Sequence, residues 1–201
     1  ATPVVESTGS GGGLKLFCSG VGTQHPDIAN SSRRIKGTEL KLCADNGVTE
    51  VTEAMIGFDG IVVANAKSGE FFDLTREMLV LALAEQGDKP MTWDEVDPGL
   101  PPVAIEVLGP PPSSGTRDAF EELVRHVDCE DAGIDCDGIS IRQDGIWVDA
   151  GENDNLIVSK LEANPGALGI FGFSFLDQNI DALKGALVDD VEPTFDNIAD
   201  G

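Results

Sequence analysis

Apolar positions along this chain follow two rhythms, short unbroken runs and stripes repeating every three to four residues. Residues 103–108, Val103-Ala104-Ile105-Glu106-Val107-Leu108, form such a run, and Gly109-Pro110-Pro111-Pro112 stops it because proline has no amide to donate. Phe120, Leu123, Val124 and Val127 then fall at i, i+3, i+4 and i+7, with Glu121, Glu122 and Arg125 off the stripe. That spacing predicts an amphipathic helix. Helices are likewise expected from Leu14, over 38–46 with Gly47 as C-cap, over 74–85 and over 155–163, the last stopped by Pro165-Gly166. Short strands are expected at 3–6, 27–30, 51–56, 60–64 and 168–173, and the tail over 180–200 is sparse in packing residues. Strands alternating with helices predict an α/β fold with mixed or parallel sheets flanked by helices.

Three strand ends carry candidate chemistry. Ser114-Gly115-Thr116-Arg117 opens the helix that follows the 103–108 run, with Ser113 or Ser114 placed to cap it. A helix N-terminus offers unpaired amides and a positive dipole end, which favour an anion. Two hydroxyls and a guanidinium in the same turn add donors suited to a tetrahedral oxyanion. The plainer alternative is an N-cap followed by a surface arginine. Ser7-Thr8-Gly9-Ser10-Gly11-Gly12-Gly13 repeats the logic as a glycine loop between a strand and a helix, where a backbone can approach a ligand closely. Its alternative is a flexible linker. Ser31-Ser32-Arg33-Arg34, a third set of hydroxyls beside arginine, could equally be a solvated turn.

Charge narrows the partners. Across 201 residues 36 acidic side chains face 13 basic ones, a net charge of −23. That argues against nucleic acid and anionic membranes as partners. An anion held by local donors is still allowed, since distant surface charge is screened. The acidity suits an extracytoplasmic or salt-adapted protein. No apolar stretch approaches the roughly 20 residues needed to span a bilayer. Four cysteines, Cys18, Cys43, Cys129 and Cys136, allow three pairings, and the sequence-local ones are Cys18–Cys43 and Cys129–Cys136. The second would pin the acidic loop 128–137, and two bridges would imply an oxidising compartment. Zinc is the rival reading, but no CxxC spacing occurs and only His25 is near the first pair.

Taken together, the 7–13 loop, Asp27-Ile28-Ala29-Asn30-Ser31-Ser32-Arg33, the 56–64 run, Ser113-Ser114-Gly115-Thr116-Arg117, Gly151-Glu152-Asn153-Asp154-Asn155 and Leu168-Gly169-Ile170-Phe171-Gly172 resemble one family. It is the phosphate-binding proteins of bacterial phosphate ABC transporters, in the periplasmic type II binding-protein superfamily. The resemblance covers nearly the whole chain and rests on the order and spacing of the segments. It implies two α/β lobes around a ligand cleft, with crossovers at 60–65 and 168–173, residues 1–64 and 171–201 in one lobe and 65–170 in the other. By the same resemblance Ser10, the Gly11 amide, Ser32, Arg33, Ser114, the Gly115 amide, Thr116 and Arg117 would bind inorganic phosphate. The partner would be a membrane permease, and the protein a periplasmic or extracellular monomer that needs no cofactor or metal.

Two departures qualify it. Relatives carry a further strand and ligand loop before the glycine loop, so the chain is expected to be a fragment shortened at both ends. Some relatives also place an aspartate where Ser32 falls, to accept the proton of hydrogen phosphate; here Asp59, or a residue upstream, is the expected acceptor. Phosphate over sulfate is therefore implied by the resemblance alone. Two other classes compete with this reading. A phosphate-ester hydrolase would need Ser10, Ser32 or Ser114 as nucleophile with His25 or His126 as base, but no nucleophile elbow or metal motif surrounds them. A secreted adhesion or anion-binding module, or a calcium-stabilised domain using 128–137 or 151–155, lacks full EF-hand spacing.

Overall fold

A computed structural model of the chain describes residues 5, 6, 8–125, 140–151 and 153–200. They fall into two compact units, Ala1–Gly57 with Pro112–Ala119, and Phe58–Pro111 with Phe120–Gly201.

The second unit is built on a mixed sheet. Its members are β1 (Ile61–Ala66), β3 (Val107–Gly109), β4 (Trp147–Asp149), β5 (Leu168–Gly172) and β6 (Leu183–Gly185), in the order β4-β3-β5-β1-β6. β1 runs antiparallel to both neighbours, with Val63 opposite Ile170 and Ala64 opposite Gly185. β3 is parallel to β4 and β5. A smaller parallel pair joins β2 (Asp73–Leu74) to β7 (Leu187–Val188).

Strand side chains alternate between faces, so one sheet serves two cores. Val63, Val107, Leu168 and Ile170 join one core with Leu79, Val80 and Leu83 of α3 (Arg76–Leu83), Trp93 of α4 (Trp93–Val96), and Phe120 and Val124 of α5 (Gly115–Arg125). Val62, Ala64, Leu108 and Phe171 join the other with Ile157, Val158 and Leu161 of α6 (Asp154–Ala163) and Leu176 of α7 (Phe173–Gln178). Truncating a fully buried member such as Ile157 or Leu161 to alanine would cost about 2–5 kcal/mol. Helix starts follow local chemistry: the Thr75 hydroxyl accepts the Met78 amide at 3.1 Å, and Asn153 accepts the Asn155 amide at 3.1 Å.

The first unit contains α1 (Gly9–Phe17) and α2 (Gly37–Asp45), tied by the expected Cys18–Cys43 disulfide, Cα atoms 4.1 Å apart. α2 ends as the sequence predicts. Gly47 adopts φ +85°, its amide donates to the Ala44 carbonyl at 3.1 Å, and the Val48 amide donates to Cys43 at 2.9 Å. That pair of bonds is a Schellman cap, which needs a left-handed residue at its turn. Among the described residues of this unit the buried apolar side chains are Leu14, Cys18 and Cys43.

Several expectations change. The glycine run is not a loop: Gly11, Gly12 and Gly13 lie inside α1, and a Cβ on Gly12 would sit 2.9 Å from that of Thr8. Residues 27–30 and 51–56 form no strand; both stretches are largely exposed, and no strand among the described residues lies beside them. The 103–108 run joins the sheet only from Val107, because Ile105 and Val103 bond instead to Met91 and Trp93. The tail is less sparse than it reads. Leu183 and Ala186 are buried, β6 pairs with β1, and α8 (Phe195–Asp200) follows. Residues from Phe173 onward belong to the second unit, where Leu176 and Leu183 find apolar partners. The Cys129–Cys136 pairing, His126, the 128–137 loop and residues 3 and 4 of the expected 3–6 strand lie outside the described residues.

Candidate functional site

All eight expected anion ligands lie in the first unit, on three separate stretches, 10–11, 32–33 and 114–117, that approach one another around Ser10, Ser32 and Gly115. Ser10 lies in the first turn of α1, buried to 5 % exposure, and its hydroxyl is 2.9 Å from that of Ser32. The Ser32 amide also donates to Ser10 Oγ at 3.0 Å. Gly115, the first residue of α5, abuts the pair. A Cβ there would lie 2.6 Å from Ser10 Oγ and 2.9 Å from Ser32 Oγ, so only glycine admits both hydroxyls to the start of α5. Gly9 is constrained twice, by φ +66° and by the Ser113 carbonyl, 2.3 Å from where a Cβ would be. The close approach of the backbones before α1 and α5 thus depends on two glycines.

The expected cap forms at α5: Ser114 Oγ accepts the Thr116 amide at 3.2 Å, while the Ser114 carbonyl takes the Asp118 amide. At α1 the Thr8 side chain caps no amide. Two helix N-termini therefore meet around hydroxyls, and their dipoles add to favour negative charge there. Arg117, one turn into α5, is buried to 4 % exposure, as is Ser114 to 5 %. Arg33 reaches the same turn of α1, its Nη2 lying 3.7 Å from where a Gly11 Cβ would be. Asp118 Oδ2 is 4.0 Å from that point.

Sequence reasoning missed what holds Arg33. Nη1 and Nη2 donate to the two oxygens of Glu39 at 3.0 and 2.9 Å, and Nη1 also donates to the Arg34 carbonyl. The guanidinium holds the Glu39 carboxyl below the usual carboxylate range, with help from the Lys36 amide and against the cost of partial burial. The signal was a glutamate at the third position of α2, where a carboxylate turns back to the helix start. Asp59, the suggested proton acceptor, is exposed in the second unit, its Oδ1 4.0 Å from where a Gly172 Cβ would be. His25 is engaged elsewhere, its Nδ1 2.8 Å from Ser19 Oγ. A groove of about 460 Å³ in the second unit is lined by Asp73, Asp97 and Asp190 with Phe71, Met78 and Leu100, and its carboxylates disfavour an anion.

The whole chain, residues 1–201, matches the family model described as a PBP superfamily domain. The chain belongs to that superfamily. Among curated proteins it is 37% identical over 187 residues to protein SphX of Synechocystis sp., a match covering 92% of this chain and 50% of SphX. It is 33% identical over 201 residues to the phosphate-binding protein PstS of Staphylococcus saprophyticus, covering 97% of this chain and 56% of that protein. The chain thus spans about half the length of the curated relatives it matches. Among solved structures it resembles a substrate-binding protein assigned to phosphate ABC transport, crystallised with bound phosphate, from Clostridium perfringens. The TM-score is 0.67 at 27% identity, covering 96% of this chain and 66% of that one. An ABC-type phosphate transport receptor from Vibrio cholerae shares the fold at TM-score 0.62 and 20% identity, over 98% of this chain and 69% of that one.

Proposed function

We propose that this chain carries an oxyanion-binding part of an extracytoplasmic solute-binding protein that captures inorganic phosphate and delivers it to the permease of a phosphate ABC transporter. One observation carries the reading: Ser10, Ser32 and Gly115 meet where two helices begin. Hydroxyls, first-turn amides and two arginines can hold a dianion through charge-assisted bonds without a metal. The relatives named for phosphate binding support the choice of oxyanion, and the Cys18–Cys43 bridge supports a periplasmic or extracellular setting. Action as a monomer, and Asp59 as acceptor of the hydrogen-phosphate proton, belong to the same proposal. Sulfate has no such proton to give, so an acceptor would exclude it. Binding without turnover is the expected activity.

Calorimetric titration with phosphate, sulfate and arsenate tests this. Phosphate binding that Arg117→Ala weakens by about a hundredfold supports it, the scale expected for removing a buried charged donor. No heat with any of the three oxyanions, from this chain or from any longer form of the protein, overturns it.

A further inference from the structure

We propose that Glu39 is a positioning residue for anion recognition, holding Arg33 against the first turn of α1 before an oxyanion arrives. The inference rests on the phosphate reading above. Arg33 comes from a stretch with neither helix nor strand, so no regular backbone fixes its side chain. Glu39 does. Both carboxylate oxygens accept from its guanidinium, in the two-pronged geometry that sets an arginine's plane as well as its place.

Glu39 is itself anchored, because its Oε2 accepts the Lys36 amide at 2.8 Å at the start of α2. A path of bonds therefore runs from the α2 start through the carboxylate to the guanidinium, whose Nη2 lies 3.7 Å from where a Gly11 Cβ would be. The pair is shielded as well as fixed: the two side chains are only 11% and 16% exposed. A guanidinium set in advance loses less freedom on meeting a ligand than one drawn in from solvent.

The same carboxylate also opposes the ligand, since its negative charge lies beside an arginine meant for an anion. Positioning and repulsion predict opposite results for one substitution, Glu39→Gln. Glutamine keeps the size, but its amide N–H groups face the guanidinium donors and the two-pronged bond is lost. We expect E39Q to weaken phosphate binding by about tenfold, the cost of one newly immobilised side chain, although it removes a negative charge. In an Arg33→Ala background E39Q should weaken binding no further.

Stronger binding by E39Q would mean that charge repulsion dominates, and would overturn the proposal. A lowered melting temperature with unchanged phosphate affinity would reduce Glu39 to a cap of α2, and would overturn it too. Carbon-detected NMR titration of Glu39 provides a readout that needs no ligand. The carboxyl should titrate below the usual range in the wild-type chain and return toward it in R33A. A normal Glu39 titration with phosphate binding intact overturns this inference alone. Absence of phosphate binding by the wild type overturns the functional reading, and this one with it.

Discussion

At position 115 the residue that best starts a helix and the residue the hydroxyl pair requires are different. Alanine is favoured over glycine in a helix by up to about 1 kcal/mol, and Gly115 is not held at positive φ, so Gly115→Ala carries no backbone penalty. Its Cβ would nonetheless intrude on Ser10 Oγ and Ser32 Oγ. The two consequences separate cleanly. Gly115→Ala should leave the thermal midpoint near that of the wild type while phosphate affinity falls by tenfold or more, about 1.5–3 kcal/mol for a displaced bond to a charged ligand. Calorimetry of unfolding and of binding on the same protein checks both. Loss of stability without loss of affinity would make Gly115 a packing residue. Gly9 should behave in the opposite sense, because both its φ and the nearby Ser113 carbonyl exclude a Cβ, and Gly9→Ala should destabilise the first unit.

Between α1 and α2 the disulfide carries a share of stability that the apolar core of this unit cannot. Besides the bridged cysteines, Leu14 is the buried apolar side chain among its described residues. Cys18 and Cys43 are 25 positions apart, a loop whose closure contributes about 3 kcal/mol in the chain-entropy model. Substituting both cysteines by serine should therefore raise amide exchange across residues 9–45 while β1, β5 and α6 stay protected, read by hydrogen exchange with mass spectrometry. Uniform loss of protection in both units would show that they unfold together.

The same contrast explains what could be read from the sequence. The 60–64 and 168–173 runs and the 74–85 and 155–163 helices were legible, because each buries a continuous apolar face whatever its partner. Residues 27–30 and 51–56 were misread, because a strand exists only through its neighbours and none lies beside them among the described residues. Ser10, Ser32, Arg33 and the Ser114 turn were legible as residue types at chain turns. The Arg33–Glu39 clamp was not, since it joins an irregular stretch to a helix start six positions on.

For the whole molecule, a net charge of −23 works against any anionic ligand at a distance, whatever the donors do at contact. The two effects have different ranges. The Debye length is about 30 Å at 0.01 M salt and about 8 Å at 0.15 M, so added salt removes the long-range repulsion first. Contacts to Ser10, Ser114 and Arg117, all buried at 5 % exposure or less, are shielded from that screening. The association rate for phosphate should therefore rise as potassium chloride is raised from 10 to 150 mM, on the order of these two screening regimes, while the dissociation rate changes little. Stopped-flow mixing with a fluorescence readout from Trp93 or Trp147 measures both rates. An association rate that falls with salt would mean that the positive field of the two helix starts and the arginines outweighs the acidic surface even at long range.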